Sequence, residues 1–180
     1  MIQEMWSAAS APHRFFVRLE PQDARISRAF GVAIFSYLFF ALCLALAFVR
    51  SSGSNAYLPI FAFALAVGAA QLLFFWGLGG VSLQRPGALD VRAWEVAGWS
   101  WTPAFFVGVS MLPALLVAPT LSFALSVGFL LAWHLAVLRS GLQVFLERAV
   151  WRVVTVYALL VIVLPLSIFV GIQVVFSRLT

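Results

Sequence analysis

Residues Trp94 to Leu138 read WEVAGWSWTPAFFVGVSMLPALLVAPTLSFALSVGFLLAWHLAVL, with no charged residue after Glu95. Two apolar runs meet at Ala118-Pro119-Thr120, a polar link too short to cross anything. Runs of this length joined so tightly fit an antiparallel helical hairpin inside a bilayer. Composition agrees: hydrophobic residues make up 64% of the 180 and charged residues 9%, against about half and about a quarter in soluble domains. The chain therefore reads as an all-α, polytopic membrane protein of one domain.

Working outward from the hairpin, residues 1–28 read as a cytoplasmic leader and residues 29–180 as a five-helix transmembrane bundle, with spans at about 29–49, 57–78, 96–117, 120–138 and 153–176. The first span, Ala29 to Val49, is uncharged and closed by Arg28 and Arg50; 21 residues rise ~31 Å as a helix, enough to cross. Gly79-Gly80 is expected to stop the second span in a left-handed turn, and Gly141 to break the chain after the fourth. Pro103, Pro113 and Pro165 lie inside apolar runs, and each should bend its helix by removing a backbone donor. Pro103 and Pro113 would free the carbonyls of Trp99 and Val109. Small residues at four-residue spacing, Ala62/Ala66/Ala70 in the second span and Ala124/Gly128/Ala132 in the fourth, are expected to let helices pack closely.

Met1 to Ser10 shows no useful period and reads as loose. From Ala11 on, Phe15, Phe16 and Leu19 form an apolar side against Arg14 and Arg18, as in an amphipathic helix lying in the membrane interface with its Phe side as anchor. Six tryptophans, Trp76, Trp94, Trp99, Trp101, Trp133 and Trp151, fall at span ends, where interfacial rings collect. All eleven bases are Arg. Nine of them (14, 18, 25, 28, 85, 92, 139, 148 and 152) fall on one side of the five spans and two (50 and 178) on the other. The positive-inside rule then puts the N-terminus in the cytoplasm and the C-terminus outside.

Chemistry is sparse. No nucleophile with a base, phosphate loop or metal-ligand set occurs, so neither catalysis nor a cofactor is expected, and bases confined to span ends argue against nucleic acid. Cys43, the only cysteine, excludes an intrachain disulfide. His134 is either a proton relay or metal ligand, or a ring beside Trp133 facing a neighbour's carbonyl. Gln71 and Gln173, with scattered hydroxyls, either line a path or bond across helices and back to their own backbone. Asp90 and Glu95 are expected to cap or pair locally in a loop. What remains is a surface: Arg85, Arg92, Trp94, Arg139 and Arg148 share the cytoplasmic side and offer a basic, aromatic-edged patch for lipid headgroups or a partner protein. The alternative use is a small transporter or channel along the proline-bent third and fourth helices.

The leader HRFFVRLEP, the run GWSWTPAFF at Gly98 to Phe106, the tight hairpin at Pro119 and the order WHLAVLRSGLQVFLERAVWRVVTVYALLVIVLP from Trp133 together resemble the Yip domain family, in particular its short bacterial members. The resemblance covers nearly the whole chain from about Pro12. It implies a five-helix membrane bundle in a bacterial inner membrane, whose eukaryotic counterparts act in vesicle traffic and membrane shaping. The partners it implies are membrane lipids and other membrane proteins or further copies of the chain. The long cytoplasmic leader and the Asp-Leu-aromatic-Gly-Pro motif of the eukaryotic members are missing, so binding to Rab-type GTPases does not carry over.

Overall fold

The computed structural model describes residues 1–19, 25–52, 57–84, 91–117, 119–145 and 154–159, and every regular element among them is helical. In chain order these are α1 (Ile2–Ser10), α2 (Pro12–Arg18), α3 (Ile26–Ser52), α4 (Tyr57–Ser82), α5 (Val91–Trp99), α6 (Thr102–Val117) and α7 (Pro119–Phe145), followed by helical residues 154–159. Among the described residues two stretches are long and apolar enough to cross a membrane, Ile26–Leu46 in α3 and Leu125–Phe145 in α7, each of 21 residues.

Helix α3 is the centre of the packing and touches α4, α5, α6 and α7. It runs antiparallel to α4, with Phe30 against Trp76 and Tyr37 against Gln71. It runs parallel to α5 and α6, with Ala29 against Gly98 and Phe40 against Gly108. The hairpin expected at Pro119 is present: α6 and α7 lie antiparallel, and Ser122 Oγ donates to the Ala114 carbonyl across it at 2.9 Å.

The third apolar run is two helices rather than one bent helix. Ser100 and Trp101 form a turn between α5 and α6, and Pro103 falls in the first turn of α6, where its missing N–H is no loss. Pro103 therefore starts a helix instead of bending one, whereas Pro113 does lie inside α6. Pro165 lies outside the described residues.

Glycines, not the alanine rows, carry the close contacts. A Cβ at Gly98 would fall 2.6 Å from the Ala29 carbonyl oxygen, and one at Gly141 2.7 Å from Val96 and 2.9 Å from Phe16. At Gly80 a Cβ would fall inside the Trp94 ring. These distances mean that α5 is nested backbone to backbone against α3 and pressed onto α4 and α7. Gly79, Gly80 and Gly141 accordingly sit within continuous helices, α4 running on to Ser82 and α7 to Phe145, so none of them ends a helix. By contrast, Ala62, Ala66 and Ala70 are exposed, Gly128 has nothing within 4 Å of its would-be Cβ, and Ala132 is exposed. The close packing expected of these two rows is not seen among the described residues, because each lies on the helix face turned away from the described core. The Ala124 side chain is outside the described set.

The leader also differs from expectation. Met1 to Ser10 is not loose: it forms α1, which buries Met5, Ala8 and Ala9. Trp6 packs edge-on to Phe106 at 5.1 Å, and the Trp133 indole N–H donates to the Ala9 carbonyl at 3.0 Å. Helix α2 starts at Pro12, as its sequence suggests, but its aromatic side faces protein. Phe16 is fully buried against Gly141 and Phe145, Phe15 lies 4.7 Å from the Trp99 ring, and Leu19 is half-buried on the same core. The missed signal in α1 is the spacing of Met5, Ala8 and Ala9, a narrow small-residue stripe that needs little apolar bulk to dock.

Candidate functional site

The interruption at Ser100-Trp101 builds a buried polar site. Pro103 cannot donate to the Trp99 carbonyl, and Thr102 Oγ1 does so instead at 2.9 Å. Ala104 N–H bonds three residues back, to the Trp101 carbonyl at 3.0 Å, so the Ser100 carbonyl receives no bond from the helix ladder. It points at His134 of α7, whose Nδ1 lies 2.9 Å away. A carbonyl only accepts, so Nδ1 carries the proton and Nε2 is left as an acceptor. The Tyr157 hydroxyl, 3.0 Å from Nε2, is the donor that satisfies it. His134 is fully buried, and both of its nitrogens are used.

Rings extend this site across the bundle. The Trp101 ring lies over His134 with centroids 4.3 Å apart, and Tyr37 meets Trp101 edge-on at 5.2 Å. The Tyr37 hydroxyl donates to Gln71 Oε1 at 2.6 Å. A continuous chain of contacts therefore runs from Tyr157 through His134, Trp101 and Tyr37 to Gln71. Tyr157 also lies against Gly79, where a Cβ would come 3.5 Å from its ring, so Tyr157 docks into a notch beside α4. Trp101 Nε1, Ser36 Oγ and Ser126 Oγ are buried with no hydrogen-bond partner among the described residues.

Of the two readings of His134, the geometry matches the ring that faces a neighbour's carbonyl, but the stacking partner is Trp101 rather than Trp133, and the site is core rather than interface. Trp99 and Trp101 are likewise buried in the bundle. Ser100, Thr102 and Ser110 bond back to the carbonyls of Ala97, Trp99 and Val107. Glu95 is not in a loop: it lies in α5 at 1% exposure, and its Oε1 meets no hydrogen-bond donor among the described residues. Gln71 sits on the outside of the bundle, and Gln173 lies outside the described residues.

Of the residues expected to form a basic patch, Arg92, Trp94 and Arg139 are described. Arg92 lies over the Phe145 ring at 4.8 Å, which joins the start of α5 to the end of α7. Trp94 is half-buried and packs against Trp76, at 4.6 Å, and against Gly80. Arg139 is half-buried on α7; Arg85 and Arg148 lie outside the described residues. At the same end, Arg28 pairs with Glu4 and lies over the Trp99 ring at 5.7 Å. This second cation–ring contact, which ties α3 to α1 and α5, has no local sequence signal.

Among the described residues no group of three His, Cys, Asp or Glu side chains could hold a metal ion. The Tyr157–His134 pair can hold a proton between donor and acceptor, but its partners on either side are a carbonyl and apolar rings. No family model matches the chain, and neither a curated protein nor a solved structure matches it.

Proposed function

We propose that the chain is a non-enzymatic integral membrane protein of a bacterial inner membrane, with five spans and a cytoplasmic N-terminus, that works through contacts with lipids or other membrane proteins. The observation that carries this reading is the end of the bundle where α2, the start of α3, α5 and the end of α7 meet. There Arg28 and Arg92 lie over aromatic rings, and His13, Arg14, Arg18 and Arg25 are exposed around them. Arginines held over rings keep their charge toward the headgroup layer while their stems stay on apolar surface. The Arg count and the motif resemblance to the Yip domain family support the same placement. The test is native mass spectrometry of protein extracted from membranes. Arg14→Gln with Arg18→Gln should reduce co-purifying anionic phospholipid several-fold, with topology reporters unchanged. Equal lipid retention would remove this surface as the working one.

One observation favours a small transporter or channel instead: the third run is broken at buried hydroxyls, as helices lining a transport path often are. Gln71 counts against a path there, since it faces outward. Solute or proton flux in proteoliposomes, abolished by His134→Gln, would establish the alternative.

A further inference from the structure

Gln71 is the unusual residue of α4. Its Oε1 accepts from Tyr37, yet the residue is exposed and its amide N–H2 meets no acceptor among the described residues. Around it the surface of α4 is apolar and bare: Ala66, Ala70, Leu73 and Phe74 are all exposed. On the membrane-spanning reading proposed above, on which this inference rests, Gln71 lies near the middle of the second span, where acyl chains offer an amide no acceptor.

We propose that this face of α4 binds a second copy of the chain, with the two Gln71 amides exchanging hydrogen bonds across a two-fold axis. The amide is self-complementary: each Nε2 donates to the other copy's Oε1, which has one lone pair left after Tyr37 takes the first. Copies inserted in the same orientation are related by an axis along the membrane normal, so identical residues meet at identical depth. That condition brings Gln71 to Gln71 and would bring no other polar group of α4's described exposed face into contact. Ala66 and Ala70 leave room for the backbones to approach, and Leu73 and Phe74 supply the packing that drives association in lipid. Lipid alone leaves the donors unmet, and a different protein would need an acceptor placed at the same depth.

The experiment is disulfide crosslinking in native membranes. In a Cys43→Ala background, Ala70→Cys or Phe74→Cys should give an oxidation-dependent band at twice the 19.7 kDa chain mass. Leu125→Cys, on the bare face of α7, should give none. Gln71→Leu removes both exchanged bonds and should lower the dimerisation constant about tenfold, the effect of two average interhelical hydrogen bonds in a bilayer. Tyr37→Phe removes the intrachain bond but spares the amide, so it should leave the dimer at or above its original level. A chain extracted from membranes by carbonate would overturn the membrane reading itself. A membrane-integral chain that stays monomeric, crosslinks to a different mass, or dimerises equally with Gln71→Leu would overturn the α4 interface.

Discussion

Tyr157→Phe isolates the hydrogen bond that ties the segment after α7 to the rest of the bundle. The ring packing against Gly79 and beside His134 is retained, and only the hydroxyl 3.0 Å from His134 Nε2 is lost. Interhelical hydrogen bonds in membranes average about 0.6 and reach about 1.7 kcal/mol. An acceptor left unsatisfied in a buried site costs about 1–3 kcal/mol. His134 is fully buried and keeps its other nitrogen on the Ser100 carbonyl, so it cannot turn to a new donor without breaking that bond. The expected loss is therefore about 1–2 kcal/mol, or roughly 2–8 °C in the unfolding midpoint of a chain this size. Thermal unfolding in detergent micelles reads it directly, and a double-mutant cycle with His134→Ala isolates the pair. The single variants should not add, because either one removes the same bond. A Tyr157→Phe chain as stable as the parent, or strictly additive variants, would show that the hydroxyl does not hold the imidazole.

Phe16→Ala should destabilise the bundle by about 3–5 kcal/mol, since the ring fills the notch that Gly141 leaves open and is not a lipid anchor; chemical or thermal denaturation in detergent checks this. Gly98→Ala should cost about 1–3 kcal/mol by overpacking against the Ala29 backbone, while Gly128→Leu, with open space around it, should be close to neutral; a stability ranking of the two variants decides. The Arg28 partner holds the Glu4 carboxyl below its ordinary range, so its contribution is complete above that ordinary value, near pH 4.5, and disappears as pH falls through the lower folded value. Both side chains are well exposed, so the gain is about 0.5 kcal/mol. Hydrogen exchange of α1 should accelerate between pH 5 and pH 3 relative to the core, and Glu4→Gln should show the faster rate at both.

What was legible in the sequence is what depends on runs and charges. The helical class, the apolar spans of α3 and α7 and the reversal at Pro119 all follow from the length of uncharged text and from one helix-breaking residue at a polar link. The freed Trp99 carbonyl is legible too, since a proline fixes which one loses its partner, but the Ser100 carbonyl on which the site is built is not. The local answer to that loss was harder to read. Pro103 is preceded by Ser100 and Thr102, whose hydroxyls take the carbonyls of Ala97 and Trp99, and this makes a clean stop and restart cheaper than a bent helix. Small residues were misassigned for a related reason: a stripe of Ala and Gly permits close approach but does not say whether a neighbour is there. Gly80, Gly98 and Gly141 stand outside any four-residue row of small residues, yet they carry the tightest contacts.

The interruption and the glycine contacts are consequences of one another. Helix α5 is nine residues long, and six of them, Ala93, Glu95, Val96, Ala97, Gly98 and Trp99, are buried, so it is enclosed by α3, α4 and α7 rather than laid on their surface. Enclosure on that scale requires a thin helix, which Ala93, Ala97 and Gly98 provide, and thin neighbours, which Gly80 and Gly141 provide. Helix α6 continues along α3, with Gly108 at Phe40. Between α5 and α6 the helix is interrupted at Ser100-Trp101, and the interruption leaves a carbonyl without a helical donor inside the bundle. Ser100 is that carbonyl, and a buried acceptor without a donor would cost more than the turn itself. His134 on α7 supplies the donor and thereby acquires a second nitrogen that needs one, which Tyr157 meets. The hydrogen bonds of His134 are thus the requirement that follows from packing α5 so tightly, and the ring contacts through Trp101 and Tyr37 end at Gln71, whose amide N–H2 meets no acceptor among the described residues.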